Sequence, residues 1–173
     1  MNFKFFGFIL ALLACFSCSK ESDLAVVDKL DLKQYAGKWY EIARMPFRFE
    51  KNLKCVSATY TIKPDGDVEV WNQGIDEQTG EKSEVKGIAK VPNPKEPAKL
   101  KVSFFRPFYG KYWILDLGEN YEYALVGHPN REYLWILARE KSMAQEKIDQ
   151  LLELAKGKGF DISLLEFVKQ DCP

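Results

Sequence analysis

Four cysteines and a single histidine are the side chains of this sequence best suited to covalent or metal chemistry. Cys55 and Cys172 lie beyond the N-terminal apolar region, and a thiol there would act as a nucleophile only if it were free, partly exposed and depressed in pKa. His128 lies in a Gly-His-Pro turn with no second histidine or cysteine at metal-ligand spacing. The sequence therefore predicts no metal site, no cofactor and no Ser-His-Asp triad, and leaves thiol chemistry as the enzymatic alternative.

The first 18 residues have the pattern of an export signal. Lys4 precedes an apolar run over residues 5–13, which is too short to span a bilayer as a mature helix. Small residues stand before Cys15 and Cys18, and this arrangement resembles the lipobox of bacterial lipoproteins, in which the cysteine becomes the lipidated first residue. The polar sequence after Cys18 favours that cysteine, with Cys15 as the alternative and an ordinary cleaved signal as a further one.

These features divide the chain into three parts. We predict a lipoprotein signal peptide over residues 1–17, a lipid anchor and tether over 18–30, and one folded domain over 31–173. Removal of the signal leaves 24 basic residues against 25 acidic ones, because Lys4 is the one charged residue in it. This balance provides no positively charged surface for nucleic acid.

Export to an oxidising compartment makes a disulfide between Cys55 and Cys172 the natural expectation. Closing so long a loop would stabilise the domain by about 4 to 5 kcal/mol in the chain-entropy model. Two reduced thiols remain the alternative reading of the same pair.

Short apolar runs separated by turn residues fill the chain from Trp39 to Ala138, which is typical of antiparallel sheet. Alternation is clearest where Leu100, Val102 and Phe104 share one face of a run. Eight such strands can close on themselves and leave room inside for one small ligand. The eight predicted strands begin at Trp39, Cys55, Asp67, Lys82, Lys99, Lys111, Tyr121 and Glu132.

One amphipathic helix is predicted after the strands. Ser142 and Gln145 have the spacing of a capping box, and Gly157 or Gly159 would end the helix. An apolar stripe with helical spacing requires a partner, which we expect to be the outside of the sheet. The stripe consists of Ala144, Ile148, Leu151, Leu152 and Ala155.

The stretch GKWYEIAR, residues 37–44, resembles the first signature of the lipocalin family, with Gly37 and Trp39 matching its Gly-x-Trp core. The stretches RMPFRFEKNL, AKLKVSFFRPFYGKYWIL and YLWILAR are similar to bacterial lipocalins and apolipoprotein D. The resemblance covers residues 27–168. It implies an all-β fold, an eight-stranded antiparallel up-and-down barrel with one C-terminal α-helix packed outside.

The resemblance also implies roles for residues at the closed end of such a barrel. Trp39 would plug that end and Arg139 would lie over its indole, an arrangement that a cation–π attraction stabilises. Asp31 would cap the short turn that seals it. The family implies an outer-membrane lipoprotein that holds fatty acids or lysophospholipids for envelope lipid transport, storage or maintenance, with a possible homodimer.

If Trp39 marks the closed end, the long connection after Arg44 lies at the open mouth. The ligand would then contact residues at that mouth and on the inward face of the strands. Phe47 and Phe49 of that connection would lie at the entrance, with Phe47 as a ligand contact. The inward residues by alternation are Val56, Ala58, Tyr60, Val70, Leu100, Val102, Phe104, Tyr112, Tyr123 and Trp135. Such a lining suits acyl chains.

Basic residues beside the mouth give a second, weaker prediction. Arg48 and Lys51, with Lys54 nearby, could pair with a phosphate or carboxylate headgroup. Three alternatives stay open: a lipid-isomerising enzyme with a cavity cysteine, a binder of a pigment or tetrapyrrole, and a structural protein whose barrel is filled by side chains.

Overall fold

The computed structural model describes residues 23–172 and contains the eight predicted strands. Along each strand, residues that point into the barrel alternate with residues on its outer face, as the sequence pattern indicates. The strands are β1 (Gly37–Arg44), β2 (Leu53–Ile62), β3 (Val68–Asp76), β4 (Lys82–Lys90), β5 (Lys99–Phe105), β6 (Phe108–Leu117), β7 (Tyr123–Gly127) and β8 (Leu134–Ala138).

Pairing of consecutive antiparallel strands closes the sheet into a barrel. β1 pairs with β8 on one side and with β2 on the other, so no edge of the eight strands is left open. The predicted helix, α2 (Gln145–Gly157), packs outside the barrel and buries Ile148, Leu151 and Ala155. The fold class predicted from the sequence is confirmed.

The capping box predicted for α2 is wrong. The helix begins at Gln145, its N-cap is Ala144, and no side chain caps it. Gln145 lies in the first turn, where its amide donates to Asp149 rather than reaching back to Ser142. Packing of the apolar stripe, rather than a cap, therefore positions the helix.

The C-terminal tail fills the seam where β1 and β2 separate. These strands pair only as far as Tyr40 and Ser57, and beyond that point the Gln170 amide donates to the carbonyls of Glu41 and Val56, both at 2.8 Å. A two-residue strand, β9 (Glu166–Phe167), pairs with β1. The sequence did not predict β9, because two residues are too few to show alternation.

The predicted disulfide is confirmed and fixes this tail to β2. Cys55 and Cys172 are bonded with their Cα atoms 6.1 Å apart. The Cys55 amide also donates to the carbonyl of Lys169 at 2.7 Å. Covalent and backbone bonds together hold the tail against the seam.

The segment before α1 (Leu32–Tyr35) lies along the outside of the barrel. Leu24 is buried with the residues beneath α2, and the Val27 amide donates to the carbonyl of Ile114 at 3.0 Å. The packed part of the chain therefore reaches back into the predicted tether. The predicted signal peptide, Cys15 and Cys18 lie outside the described residues, and no helix within 23–172 has the length and hydropathy to cross a membrane.

The closed end is built around Trp39, whose side chain is fully buried. Asp31 caps α1 by accepting from the Lys33 amide at 2.8 Å, as predicted. The Arg139 guanidinium lies 3.8 Å from the centroid of an indole ring of Trp39, which confirms the second expectation for this end. The same guanidinium donates to the carbonyls of Gln34, Tyr35, Lys38 and Tyr121.

The backbone conformation at the start of β1 explains why a glycine stands there. Gly37 has a φ of +93°, a backbone region that residues with a Cβ rarely adopt. This turn brings the chain from α1 into β1 directly below Arg139. Gly37 therefore permits the approach that places Trp39 under the guanidinium.

Arg139→Met should lower the free energy of unfolding by about 1 to 3 kcal/mol, because it removes a cation–π contact and several charge-assisted hydrogen bonds. Urea unfolding at neutral pH measures the change. Arg139→Lys should recover only part of it, since an ammonium cannot reach all four carbonyls at once. Glu140→Gln, at the exposed neighbouring position, is the control, and an Arg139→Met variant as stable as the parent would contradict the role given to this contact.

Candidate ligand-binding site

A cavity of about 420 Å³ occupies the barrel above Trp39 and opens at the opposite end. The loop between β1 and β2 and the turns β5–β6 and β7–β8 surround its mouth. Most of its lining is apolar or aromatic. The predicted residues that line it are Phe47, Val56, Ala58, Tyr60, Val70, Val102, Phe104, Tyr112 and Trp135.

Two predicted lining residues lie elsewhere. Leu100 is inside the barrel but is packed in the cluster at the closed end, below the cavity. Tyr123 lies on the outer face, where its hydroxyl donates to Asp116 and Lys147 lies over its ring. The inward prediction for Tyr123 is wrong because α2 covers the outside of β7, so both faces are apolar and alternation does not distinguish them.

Sequence reasoning missed several residues at the mouth and in the wall. Phe105 and Phe108 lie at the opening beside Phe49, whose place at the entrance the loop position does predict, and Tyr133 stacks on Trp135. The aromatic residues on either side of Arg106-Pro107 could have been predicted to lie at the opening. They flank a turn between two barrel strands, and such a turn lies at an end of the barrel. Two acidic residues in the wall, Glu41 and Glu50, gave no signal of their own.

Three tyrosines are joined at the lower end of the site, where Tyr60 and Tyr112 line the cavity and Tyr35 is buried beside Trp39. Tyr112 is hydrogen-bonded through its hydroxyl to those of Tyr35 and Tyr60, both at 2.8 Å. Burial raises the pKa of each hydroxyl, so all three are neutral at physiological pH. They provide a hydrogen-bonding floor beneath apolar walls.

A buried charged cluster lies in the wall formed by β1 and the loop after it. The Arg44 guanidinium donates to Glu41 at 2.7 Å and to the backbone carbonyl of Glu50 at 2.7 Å. The Trp135 indole donates to the Glu50 carboxylate at 3.3 Å. All three charged side chains are less than a tenth exposed.

The cluster buries two carboxyl groups with one guanidinium, which is bonded to the Glu41 carboxylate and not to that of Glu50. Burial of this excess of acid favours the protonated forms of the carboxyl groups. Burial, with the nearby Glu50 charge as the next cause, raises the pKa of Glu41 to about 8, although Arg44 opposes the shift. Burial also raises the pKa of Glu50. At neutral pH the wall is therefore far less negative than its residue types suggest.

The predicted headgroup residues lie outside the lining. The Arg48 guanidinium lies over the ring of Phe49 at 4.4 Å, at the edge of the mouth. Lys51 is exposed on the same loop, and Lys54 pairs with Asp171 of the tail. Contact of Arg48 or Lys51 with a ligand stays a prediction.

Few side chains near the site could act as a nucleophilic thiol or bind a metal. Within residues 23–172, the one group of possible metal ligands is Cys55, Asp171 and Cys172, and both sulfurs belong to the disulfide. Neither cysteine lines the cavity. What the arrangement can do is enclose an apolar molecule, with polar groups at the floor and in one wall.

A barrel sealed at one end around an apolar cavity defines a protein that binds small hydrophobic ligands. The profile of the lipocalin-like domain matches residues 30–170 of this sequence. The chain belongs to the lipocalin family.

Named relatives include bacterial lipoproteins. The chain is 43% identical over 145 residues to outer membrane lipoprotein Blc of Vibrio cholerae, covering 83% of this chain and 85% of the relative. It is 41% identical over 158 residues to Blc of Escherichia coli K12, covering 91% and 89%. Apolipoprotein D of Mus musculus is 37% identical over 159 residues, covering 86% and 82%.

Solved structures support the fold. Insecticyanin of Manduca sexta superimposes with a TM-score of 0.69, covering 85% of this chain and 84% of that one. At 24% sequence identity, the likeness shows the shared barrel alone.

The buried acids predict a pH-dependent stability. Between the ordinary carboxyl pKa and about 8, the folded protein binds more protons at Glu41 than the unfolded chain does. The stabilising contribution is therefore complete at low pH and is lost as pH rises through about 8. From pH 6 to 9 the free energy of unfolding should fall by about 1.4 kcal/mol or more, the equivalent of one pKa unit.

Urea unfolding at both pH values, with the disulfide intact, tests this expectation. Glu41→Gln should flatten the dependence because the amide cannot titrate. Glu84→Gln, at an exposed position on the cavity rim, is the matched control. A slope in Glu41→Gln equal to that of the parent would show that Glu41 does not carry the proton.

Proposed function

We propose that this protein is a non-catalytic, membrane-anchored carrier that holds single-chain lipids, fatty acids or lysophospholipids, for envelope lipid transport, storage or maintenance. The observation that carries the proposal is the deep apolar cavity with a single opening. Its volume of about 420 Å³ lies within the usual range of ligand pockets. An elongated chain with one polar end fits that shape.

The energetics favour a reversible carrier. Burial of about 16 methylenes at about 0.8 kcal/mol each gives roughly 13 kcal/mol of gross stabilisation. Association and ordering of the chain oppose this by about 4 to 15 kcal/mol. The net binding free energy is then at most about 9 kcal/mol, a range that includes micromolar affinity and excludes picomolar affinity. An affinity of that size allows a lipid to be both captured and released.

The charges of the wall support one orientation of the bound lipid. In that wall the Arg44 guanidinium is already bonded to the Glu41 carboxylate and to the carbonyl of Glu50, so it offers an anionic headgroup no unpaired cation. Arg48 and Lys51 lie outside, at the mouth. The acyl chain therefore enters first, past Phe47, and the headgroup stays at the opening.

A non-catalytic role is supported by the state of the cysteines. The thiol alternative requires a free, activated sulfur within reach of the bound lipid. Cys55 and Cys172 are bonded to each other, away from the cavity lining.

Location in the envelope is supported by two sequence observations. The relatives from Vibrio cholerae and Escherichia coli are named outer membrane lipoproteins. This chain has the lipobox-like pattern before Cys18. We propose acylation of Cys18 and anchoring in the outer membrane.

Ala58→Phe should weaken binding of a lysophospholipid by about tenfold or more, because the larger side chain fills the cavity at the level of the indole of Trp39. Tryptophan fluorescence during titration measures the affinity, since Trp135 lines the site. The matched control is Thr59→Phe, which places the same ring one residue along β2, outside the lining.

Free fatty acids and diacyl lipids complete the titration panel. Saturable binding of single-chain lipids with loss in Ala58→Phe only would support the proposal. A folded parent protein that binds none of these lipids would refute it, and visible absorbance of protein from its natural source would then indicate a pigment.

A further inference from the structure

The N-terminal segment starts beside the open end of the barrel. Asp23 pairs with Arg131 at 3.0 Å, and Arg131 belongs to the β7–β8 loop. His128 and Tyr133, in the same loop, line the cavity. The chain then runs along the outside to Asp31, whose amide donates to Tyr121 at the closed end.

The distance from the anchor to this point is short. Asp23 is the fifth residue after Cys18, and even a fully extended chain of five residue steps spans at most about 18 Å. A lipid on Cys18 therefore holds the mouth near the membrane. The closed end lies a barrel length farther away.

The rim of the mouth exposes three aromatic rings to solvent. Phe49 is 52% exposed, Phe105 62% and Phe108 78%. The rings of Phe49, in the β1–β2 loop, and Phe105, at the end of β5, lie 5.9 Å apart. An exposed aromatic patch of this kind, beside one opening, is typical of a surface that contacts a membrane or another protein.

Basic residues accompany these rings. Arg48 lies over Phe49, Arg106 follows Phe105, and Lys111 lines the same side of the opening. All three are exposed, with the Lys111 ammonium 5.4 Å from the centroid of the Trp113 ring, and they outnumber Glu84, the exposed acid in the lining. Aromatic rings flanked by basic side chains match the interface of a bilayer that contains anionic lipids.

We propose that the anchored barrel stands with its mouth against the bilayer, so that a lipid passes between leaflet and cavity without crossing water. Phe49, Phe105 and Phe108 enter the interface, and Arg48, Arg106 and Lys111 meet anionic headgroups. This orientation rests on the proposed lipid carrier and its anchor at Cys18. It assigns the exposed rim a role that ligand binding alone does not explain.

Hydrogen exchange on the full lipidated chain tests the orientation. The chain is reconstituted in vesicles of phosphatidylethanolamine and phosphatidylglycerol, and loops 45–52 and 128–133 are followed at the open end. These loops should exchange about tenfold more slowly in the parent than in Arg106→Glu/Phe108→Ser, which removes a ring and reverses a charge. Turns 63–67 and 118–122, at the closed end, should not differ.

Ile62→Ser/Lys63→Glu is the matched control, because it makes the same changes of type at the closed end, where Ile62 is 37% exposed. It should retain the parent's protection. Protection of the closed-end turns, or open-end loops that exchange equally in all three proteins, would overturn the proposal. Protection that increases with protein density in the vesicles would also overturn it, because it would indicate a second copy of the chain at the rim.

Titration of the parent with soluble lysophospholipid separates the two hypotheses. Binding without rim protection would refute the orientation and leave the carrier function standing. Rim protection without binding would refute the carrier function and leave a membrane-facing barrel.

Discussion

The contact of the Arg139 guanidinium with the Trp39 indole is the interaction on which the shape of the site depends. It joins β8 to β1 and reaches carbonyls of α1 and of the β6–β7 loop, so one side chain connects four parts of the closed end. A guanidinium suits this position because it is planar, stacks on an aromatic face and donates in several directions. Because Trp39 and Arg139 fill the closed end, the barrel interior opens at the other end.

The upper part of the barrel is organised differently. There β1 leaves β2, a bulge shifts its register against β8 after Glu41, and the tail occupies the gap. The same departure brings Arg44 and the following loop inward. Charged groups can be buried at this place because the guanidinium donates to a carboxylate and to backbone carbonyls and the Trp135 indole donates to Glu50, which leaves the Arg44 Nε as the one orphaned donor of the cluster.

Much of this architecture follows from local patterns. Alternation and turn residues gave the eight strands. Parity placed eight lining residues of those strands correctly, since one face of each strand is buried inside, and the position of the long loop placed Phe47. Tyr123 could not be placed because the helix makes the outside of β7 apolar as well. The partnership of Glu41, Arg44 and Glu50 depends on a bulge and a loop shape, and neither leaves a periodic signal. The position of Asp23 at the open end depends on a side-chain pair that joins residues 108 positions apart.

The single opening also has a kinetic consequence. A molecule in a tube with two openings can be displaced from behind, whereas here the occupant and its replacement share one doorway only a few side chains wide. Exchange must then proceed by departure first and arrival second, so the turnover of cargo cannot exceed the rate at which an empty barrel is produced. Residues that narrow the opening slow arrival and departure together, whereas contacts with the walls below change the affinity and, through it, the rate of departure.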